Sequence, residues 1–195
     1  MKVIMNLSEI NRHAEHAAEL VVRKHAHNKG KDLVICGVAV GARRFTRLVV
    51  RKLRKKLTLL KVIFVRVKSY DGDKRGELTL MKGIEINLKN CEVVIIEDII
   101  DSGKTIRFLI DHITELGART VKVFALLNKV RARVKSTKIK LAFYGKIVAK
   151  KHFLVGFGLD YKSHYRNWDV IVAVEPGDDP KDRLYMEAMY QKLAA

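Results

Sequence analysis

With 195 residues, 48% of them hydrophobic, the chain has the length and apolar content of one domain with a full core. Its formal net charge of +18 points to anionic partners, and leaves nucleic acid and a polyphosphate substrate both open. No apolar run approaches the roughly 18 residues of a membrane span, and the first residues carry no secretory pattern, so no membrane partner and a cytoplasmic location are expected.

The first periodic segment, residues 8–27, is expected as a helix. Ser8 is its candidate N-cap, and Ile10, Ala14, Ala17, Val21 and Val22 form its apolar face. His13 and His16 lie one turn apart on it, with no acidic third ligand in view. His25 and His27 fall where the negative end of the helix dipole or solvent would meet them. After a turn at 28–31, residues 32–38 (DLVICGV) read as a buried strand leading into a loop with Gly37 and Gly41. Two glycines around a strand end suit close approach of backbone to a ligand. Cys36 and Cys91 both adjoin apolar, strand-like runs, which predicts buried reduced thiols.

Residues 45–57 predict a second helix with Leu48, Val49, Val50, Leu53 and Leu57 inward. Its other face carries Arg47, Arg51, Lys52, Arg54, Lys55 and Lys56. Residues 60–68 predict a strand. The polar, glycine-containing run 69–79 cannot bury enough surface to hold itself down, so it is expected as a lid. Residues 81–88 are expected as a short strand or hairpin arm.

The run 91–108, CEVVIIEDIIDSGKTIRF, is the chemical centre. Val93, Val94, Ile95 and Ile96 are four consecutive β-branched residues, the signature of a buried parallel strand. Glu97 and Asp98 are expected at its carboxyl end. Asp101, Ser102, Gly103, Lys104 and Thr105 form a polar loop, and Ile106, Leu109, Ile110 and Ile113 recur at helical spacing. A strand, an acidic turn, a glycine and a helix start make an anion site, because the first N–H groups of a helix are unpaired and its dipole favours negative charge. The Walker A pattern fails, since Asp98 stands where its first glycine belongs. Paired carboxylates beside a phosphate cradle suit a ligand with both phosphate and hydroxyls, such as a ribose phosphate, held directly or through Mg²⁺.

Gly117 is expected to end the central helix, and residues 121–127 to form a further strand ending at Asn128 and Lys129. Residues 130–151 are strongly basic without a clear period. The run 153–159, FLVGFGL, is apolar with two glycines, and 170–174 predicts a last strand. Asp179 as cap and Pro180 at the first helical position predict a tail helix over about 179–194, with Leu184, Tyr185, Ala188, Met189 and Leu193 as its apolar face. Alternating strands and helices imply an α/β fold with a mainly parallel, doubly wound sheet, whose strand ends converge on one cleft.

The motif at 97–105 resembles the PRPP-binding motif of type I phosphoribosyltransferases, in the form found in the hypoxanthine-guanine branch (PRPP is 5-phosphoribosyl-1-pyrophosphate). The similarity extends roughly from Asp32 to Val174. It includes Lys68-Ser69-Tyr70 at the start of the lid, Leu127-Asn128-Lys129, and the run from Phe153 to Tyr161 followed by Tyr165-Arg166. The resemblance implies one phosphoribosyltransferase domain over 1–195. Its core would be about 30–130, its hood the N-terminal helix with about 140–175, followed by the tail helix. It implies an Mg²⁺-dependent transfer of the phosphoribosyl group from PRPP to a 6-oxopurine by a homodimer or homotetramer. The alternatives are a xanthine-guanine preference or an RNA-binding regulator on the same fold.

Residue by residue, the resemblance implies that Glu97 and Asp98 hold the ribose hydroxyls and the metal. Asp101 is then the acid or base at purine N7. Ser102, Gly103, Lys104 and Thr105 wrap the 5′-phosphate. Lys129 donates to the C6 oxygen, Phe153 stacks on the purine, and the Leu154 backbone bonds its edge. Asp160 serves the base site and the metal of the pyrophosphate. Val40, Gly41 and Arg166 bind the pyrophosphate itself, and Ser69 and Tyr70 open the lid. The chain departs from the family where Leu-Lys-Gly, often with a cis peptide before the lysine, is replaced by Ala39-Val40-Gly41. Arg43 and Arg44 are the candidates to replace the missing lysine's charge.

Overall fold

The structure is a computed structural model, and it describes residues 1–26, 32–69, 78–132, 137, 139–149 and 152–194. In chain order the elements are β1 (Lys2–Met5), α1 (Leu7–Ala26), β2 (Leu33–Val38), α2 (Arg43–Leu53), β3 (Lys61–Val65), β4 (Val67–Ser69), β5 (Leu78–Leu80), β6 (Glu92–Ile100), α3 (Lys104–Glu115), β7 (Thr120–Asn128), β8 (Phe143–Ile147), β9 (Phe153–Val155), β10 (Ile171–Val174) and α4 (Arg183–Ala194).

A five-stranded sheet in the order β3-β2-β6-β7-β8 forms the core, and all its pairings are parallel. β2 is buried along its whole length, and β6 throughout except at Ile99. That double-sided burial is why Val93 to Ile96 are uniformly β-branched instead of alternating with polar residues. Leu33, Ile35, Val94, Ile96 and Phe124 pack on one face with α1 and α2, whereas Val34, Cys36, Val93, Ile95 and Val123 pack on the other with α3. Truncating a fully buried residue such as Ile96 to alanine would cost about 2–5 kcal/mol. Both cysteines are buried and free, as expected.

β1, β10 and β9 form a smaller antiparallel sheet, in that order. The N-terminal contribution to this hood is β1, while α1 lies against α2, β7 and β8. β4 and β5 pair as an antiparallel ribbon on either side of residues 70–77, so Tyr70 and most of the expected lid lie outside the described residues.

The observed elements differ from expectation in several places. β1 and β8 were not expected. Residues 81–88 form no strand; instead Leu78–Leu80 supplies the second arm of the ribbon. The cap of α1 is Asn6, not Ser8: the Asn6 side chain accepts from the Glu9 N–H at 2.9 Å, and the Glu9 carboxylate accepts from the Asn6 N–H at 2.9 Å. That reciprocal pair satisfies two helix-terminal donors, which Ser8 inside the first turn cannot do. His25 donates to the Glu92 carboxylate at 2.8 Å in place of meeting solvent, and His27 lies outside the described residues. His13 and His16 pack against the Phe143 ring, at 6.4 and 5.5 Å between centroids. The tail helix begins at Arg183, capped by Asp182, whose carboxylate accepts from the Tyr185 N–H at 2.9 Å. Asp179 caps only the preceding turn. Met186 is the fully buried residue of α4, and Leu184 and Ala188 point away from the core.

Candidate active site

The site gathers at the carboxyl ends of β2, β6 and β7. β6 runs on through Ile100, so Glu97 and Asp98 lie inside the strand's last turn of pairing, with Glu97 in register with Ala125. Both side chains are buried. Burial raises both carboxyls above their ordinary values, and the Asp98 charge lifts Glu97 further. Hydrogen bonds set their directions: the Asp98 N–H donates to Glu97 at 3.1 Å, and the Ile99 N–H donates to Asp98 at 2.8 Å. Cys36 beneath them is pushed up to about 12, first by burial and then by the Glu97 charge, so it stays a thiol.

The loop after β2 folds back onto this pair. The Ala39–Val40 peptide is cis. A Cβ at Gly41 would overlap the Asp98 carboxylate, and a Cβ at Gly158 would overlap the Gly41 carbonyl. Asp98, Gly41 and Gly158 are therefore stacked in direct contact, with Gly158 in the left-handed region at φ 102°. This contact brings the hood segment against the core. Arg166 donates to the Gly158 carbonyl at 2.6 Å and pairs with Asp160 at 2.7 Å. Asp160 also accepts from the Ser163 N–H at 2.6 Å. Thus Val40–Gly41, Asp98, Asp160 and Arg166, separate in sequence, form one cluster.

A second cluster lies a few residues further along β6. Gly103 is the N-cap of α3, at φ 85°, and has no side chain to cap it; the Ser102 hydroxyl accepts from the Lys104 N–H at 3.4 Å. The first N–H groups of α3 and the Ser102 and Thr105 hydroxyls thus lie together at the helix start, where an anion is favoured. Lys129 follows β7, its N–H bonded to the Ile100 carbonyl at 3.0 Å. Its ammonium lies 3.0 Å from the Asp101 carboxylate, with the lysine buried and the aspartate exposed. Phe153 and Leu154 lie on β9 of the smaller sheet. Leu154 is buried; Phe153 is 44% exposed, its ring edge-on to Tyr161. No hydrogen bond or ring contact among the described residues ties these two to Lys129 or Asp101.

Other residues in the site were not identified from sequence. Thr137 donates to the Ser102 carbonyl at 3.4 Å from within the basic, aperiodic stretch. Gly158 was visible only as one of two glycines in an apolar run. Arg44 donates to the Trp168 carbonyl at 2.7 Å and to Asp169, and its guanidinium stacks 4.4 Å from the Phe157 ring. Arg43 lies over Phe64. Both arginines are thus engaged by neighbouring residues, Arg44 through hydrogen bonds and Arg43 through the Phe64 ring.

Residues 5–162 match the phosphoribosyl transferase domain family, and the chain belongs to that family. Within it, the chain is 30% identical over 169 residues to the hypoxanthine-guanine phosphoribosyltransferase of Streptococcus pyogenes, covering 85% of this chain and 88% of that one. It is 33% identical over 177 residues to the bifunctional protein TilS/HprT of Listeria innocua, covering 90% of this chain but only 26% of that protein. A hypoxanthine phosphoribosyltransferase structure from Staphylococcus aureus superposes with a TM-score of 0.80 at 26% identity, covering 91% of this chain and 92% of that one. The Trypanosoma cruzi enzyme in complex with the product IMP has a TM-score of 0.83 at 22% identity, covering 92% and 96%, and shares the fold. No helix among the described residues is long and apolar enough to cross a membrane.

Proposed function

We propose that the protein transfers the 5-phosphoribosyl group of PRPP to N9 of hypoxanthine or guanine, forming IMP or GMP and releasing pyrophosphate. The observation that carries this reading is the Lys129–Asp101 pair beside the start of α3. The cradle of Ser102, Gly103, Lys104 and Thr105 takes the 5′-phosphate, which orients the ribose over Glu97 and Asp98. The purine then presents O6 and N7 to Lys129 and Asp101. An ammonium only donates, so it accepts a 6-oxo group and rejects the 6-amino group of adenine.

In the reaction the bond from the anomeric carbon to pyrophosphate breaks, its electron pair leaving with the pyrophosphate. The N9 lone pair forms the new bond, and Asp101 takes the proton lost from N7. The anomeric carbon passes through a cation-like state, as in glycosyl transfer. Arg166, with the backbone of Val40 and Gly41, meets the charge that builds on the leaving group. Phe153 covers the base, and the Leu154 backbone bonds its edge.

Glu97, Asp98 and Asp160 offer hard carboxylate oxygens, and no group of three or more His, Cys, Asp or Glu among the described residues makes a closed metal cage. Such a donor set fits Mg²⁺, a hard cation that these carboxylates would hold beside the substrate. When bound, Mg²⁺ would offset the charge of the pyrophosphate. The active species is assigned as a homodimer or homotetramer, which light scattering measures. Chromatography of a mixture of protein, PRPP, Mg²⁺ and hypoxanthine should show IMP and pyrophosphate in equal amounts. Binding of PRPP without any IMP would contradict the assignment.

A further inference from the structure

The arm that carries Asp160 and Arg166 is irregular, and packing holds its shape. Lys162, Ser163 and Tyr165 take positive φ angles of 47°, 70° and 71°, which non-glycine residues keep only where the surroundings over-determine them. From the core side, Arg44 donates to the Arg166 and Trp168 carbonyls at 3.2 and 2.7 Å. Within the arm, the Phe157 and Gly158 N–H groups donate to the Trp168 and Arg166 carbonyls at 2.9 and 2.8 Å.

The third set of contacts comes from α4 and the turn before it. The Trp168 ring stacks on Tyr190 with centroids 4.7 Å apart and planes 3° from parallel. Its indole N–H donates to Glu187 at 3.2 Å. The Tyr165 hydroxyl donates to the Pro180 carbonyl at 2.8 Å, and the Asp169 N–H donates to the Tyr190 hydroxyl at 3.4 Å. Met186, with no exposed surface, joins Tyr165 and Trp168 in a small separate core. A cavity of about 820 Å³, lined by Arg166, Trp168 and Arg183 among others, lies between the arm and the helix. All of α4 lies beyond the residues that match the family.

We propose that α4 is a brace that positions Arg166 for the pyrophosphate of PRPP, with the Trp168–Tyr190 stack as its principal contact. The proposal rests on the assignment of Arg166 to pyrophosphate made above. Arg166 is two residues from Trp168, so a pinned indole fixes the backbone from which the guanidinium reaches Gly158 and Asp160. Without the stack, the arm must be ordered when PRPP binds, and that cost falls first on PRPP and pyrophosphate, which Arg166 meets directly. Lys129, just past the end of β7, lies outside the arm.

The test compares Tyr190→Ala, Tyr190→Phe and Arg166→Ala in steady-state kinetics, together with the emission of Trp168, the protein's single tryptophan. Tyr190→Ala should raise KM for PRPP and the inhibition constant for pyrophosphate about three- to tenfold, the value of an aromatic pair. KM for hypoxanthine should stay unchanged and Trp168 emission should shift to the red. Tyr190→Phe keeps the stack and should restore both readouts. If Tyr190→Ala fails to fold by circular dichroism, Tyr190→Leu preserves the apolar burial without the stack and is read in the same way. An unchanged KM for PRPP alongside red-shifted emission overturns the brace, as does an equal rise in KM for PRPP and base. If Arg166→Ala itself leaves KM for PRPP unchanged, the pyrophosphate assignment falls, and the brace with it. If only Arg166→Ala is impaired, the brace alone falls.

Discussion

The Lys129 ammonium lies 3.0 Å from the Asp101 carboxylate at the ends of two neighbouring parallel strands. The two side chains form a donor and an acceptor side by side, which matches the adjacent O6 and N7 atoms of a 6-oxopurine whose N7 carries a proton. On the proposed reading the pair receives the base as a unit, and each half has a separable role.

Asp101→Asn keeps the shape and removes the proton acceptor. Turnover should fall about 10²–10⁴-fold, with little change in PRPP affinity. Rapid-quench measurement of nucleotide formation checks this, and unchanged turnover would remove Asp101 from the acid–base role.

Lys129→Ala removes a charge-assisted donor to O6. Such a bond is worth about 1.5–3 kcal/mol, so kcat/KM for hypoxanthine should fall by roughly 10–100-fold. PRPP binding, measured by calorimetry, should survive. Equal loss of both would mark the Lys129 side chain as structural, through its ion pair with Asp101.

Glu97 couples the site to stability. Its folded-state pKa lies above the ordinary 4.5, chiefly through burial and then through the Asp98 charge. A carboxyl raised on folding binds its proton more tightly in the native state, so its contribution is fully present below pH 4.5 and is lost as pH rises towards the folded value. Glu97→Gln mimics the protonated form. Its Tm should match the parent at pH 4 and exceed it at pH 7, while activity falls. A Tm gain that is the same at both pH values would contradict the linkage.

The Gly41 and Gly158 contacts admit no Cβ. Gly41→Ala should displace the Asp98 carboxylate and lower kcat/KM for PRPP about 10²-fold, the usual result of moving a positioning group by about 1 Å. Gly158→Ala adds a strained left-handed residue and should also lower stability, by about 1–3 kcal/mol in a urea melt. Parent-like kinetics in Gly41→Ala would show that the loop does not rest on Asp98 in the working enzyme.

The contiguous part of the site was legible in the sequence. A run of four β-branched residues, two carboxylates and a Gly-Lys-Thr step needs only local geometry to become a strand, a turn and a helix start. Lys129 was legible for the same reason, as a strand end beside the first. The meeting of Gly41, Asp98 and Gly158 was not, because it depends on a hood segment crossing a loop more than a hundred residues away in the chain. The strands β1 and β8 were missed because both are short, and each is defined by pairing to a distant partner instead of by its own pattern. The Asn6–Glu9 spacing that makes the cap stands in the sequence, two residues ahead of Ser8. The tail offered Asp179 as cap, and packing of Met186 and Tyr190 against Trp168 goes with the register that starts at Arg183.

The most direct test of the central claim is nucleotide formation with the base varied. Protein, PRPP and Mg²⁺ are mixed with hypoxanthine, guanine, xanthine, adenine or uracil in turn, and product is followed by absorbance. The Lys129–Asp101 pair predicts turnover of hypoxanthine or guanine and none of adenine or uracil. Equal turnover of adenine, or no turnover of any base by a protein that still binds PRPP, would contradict it; in the second case RNA is the ligand to try next, with salt dependence as its signature.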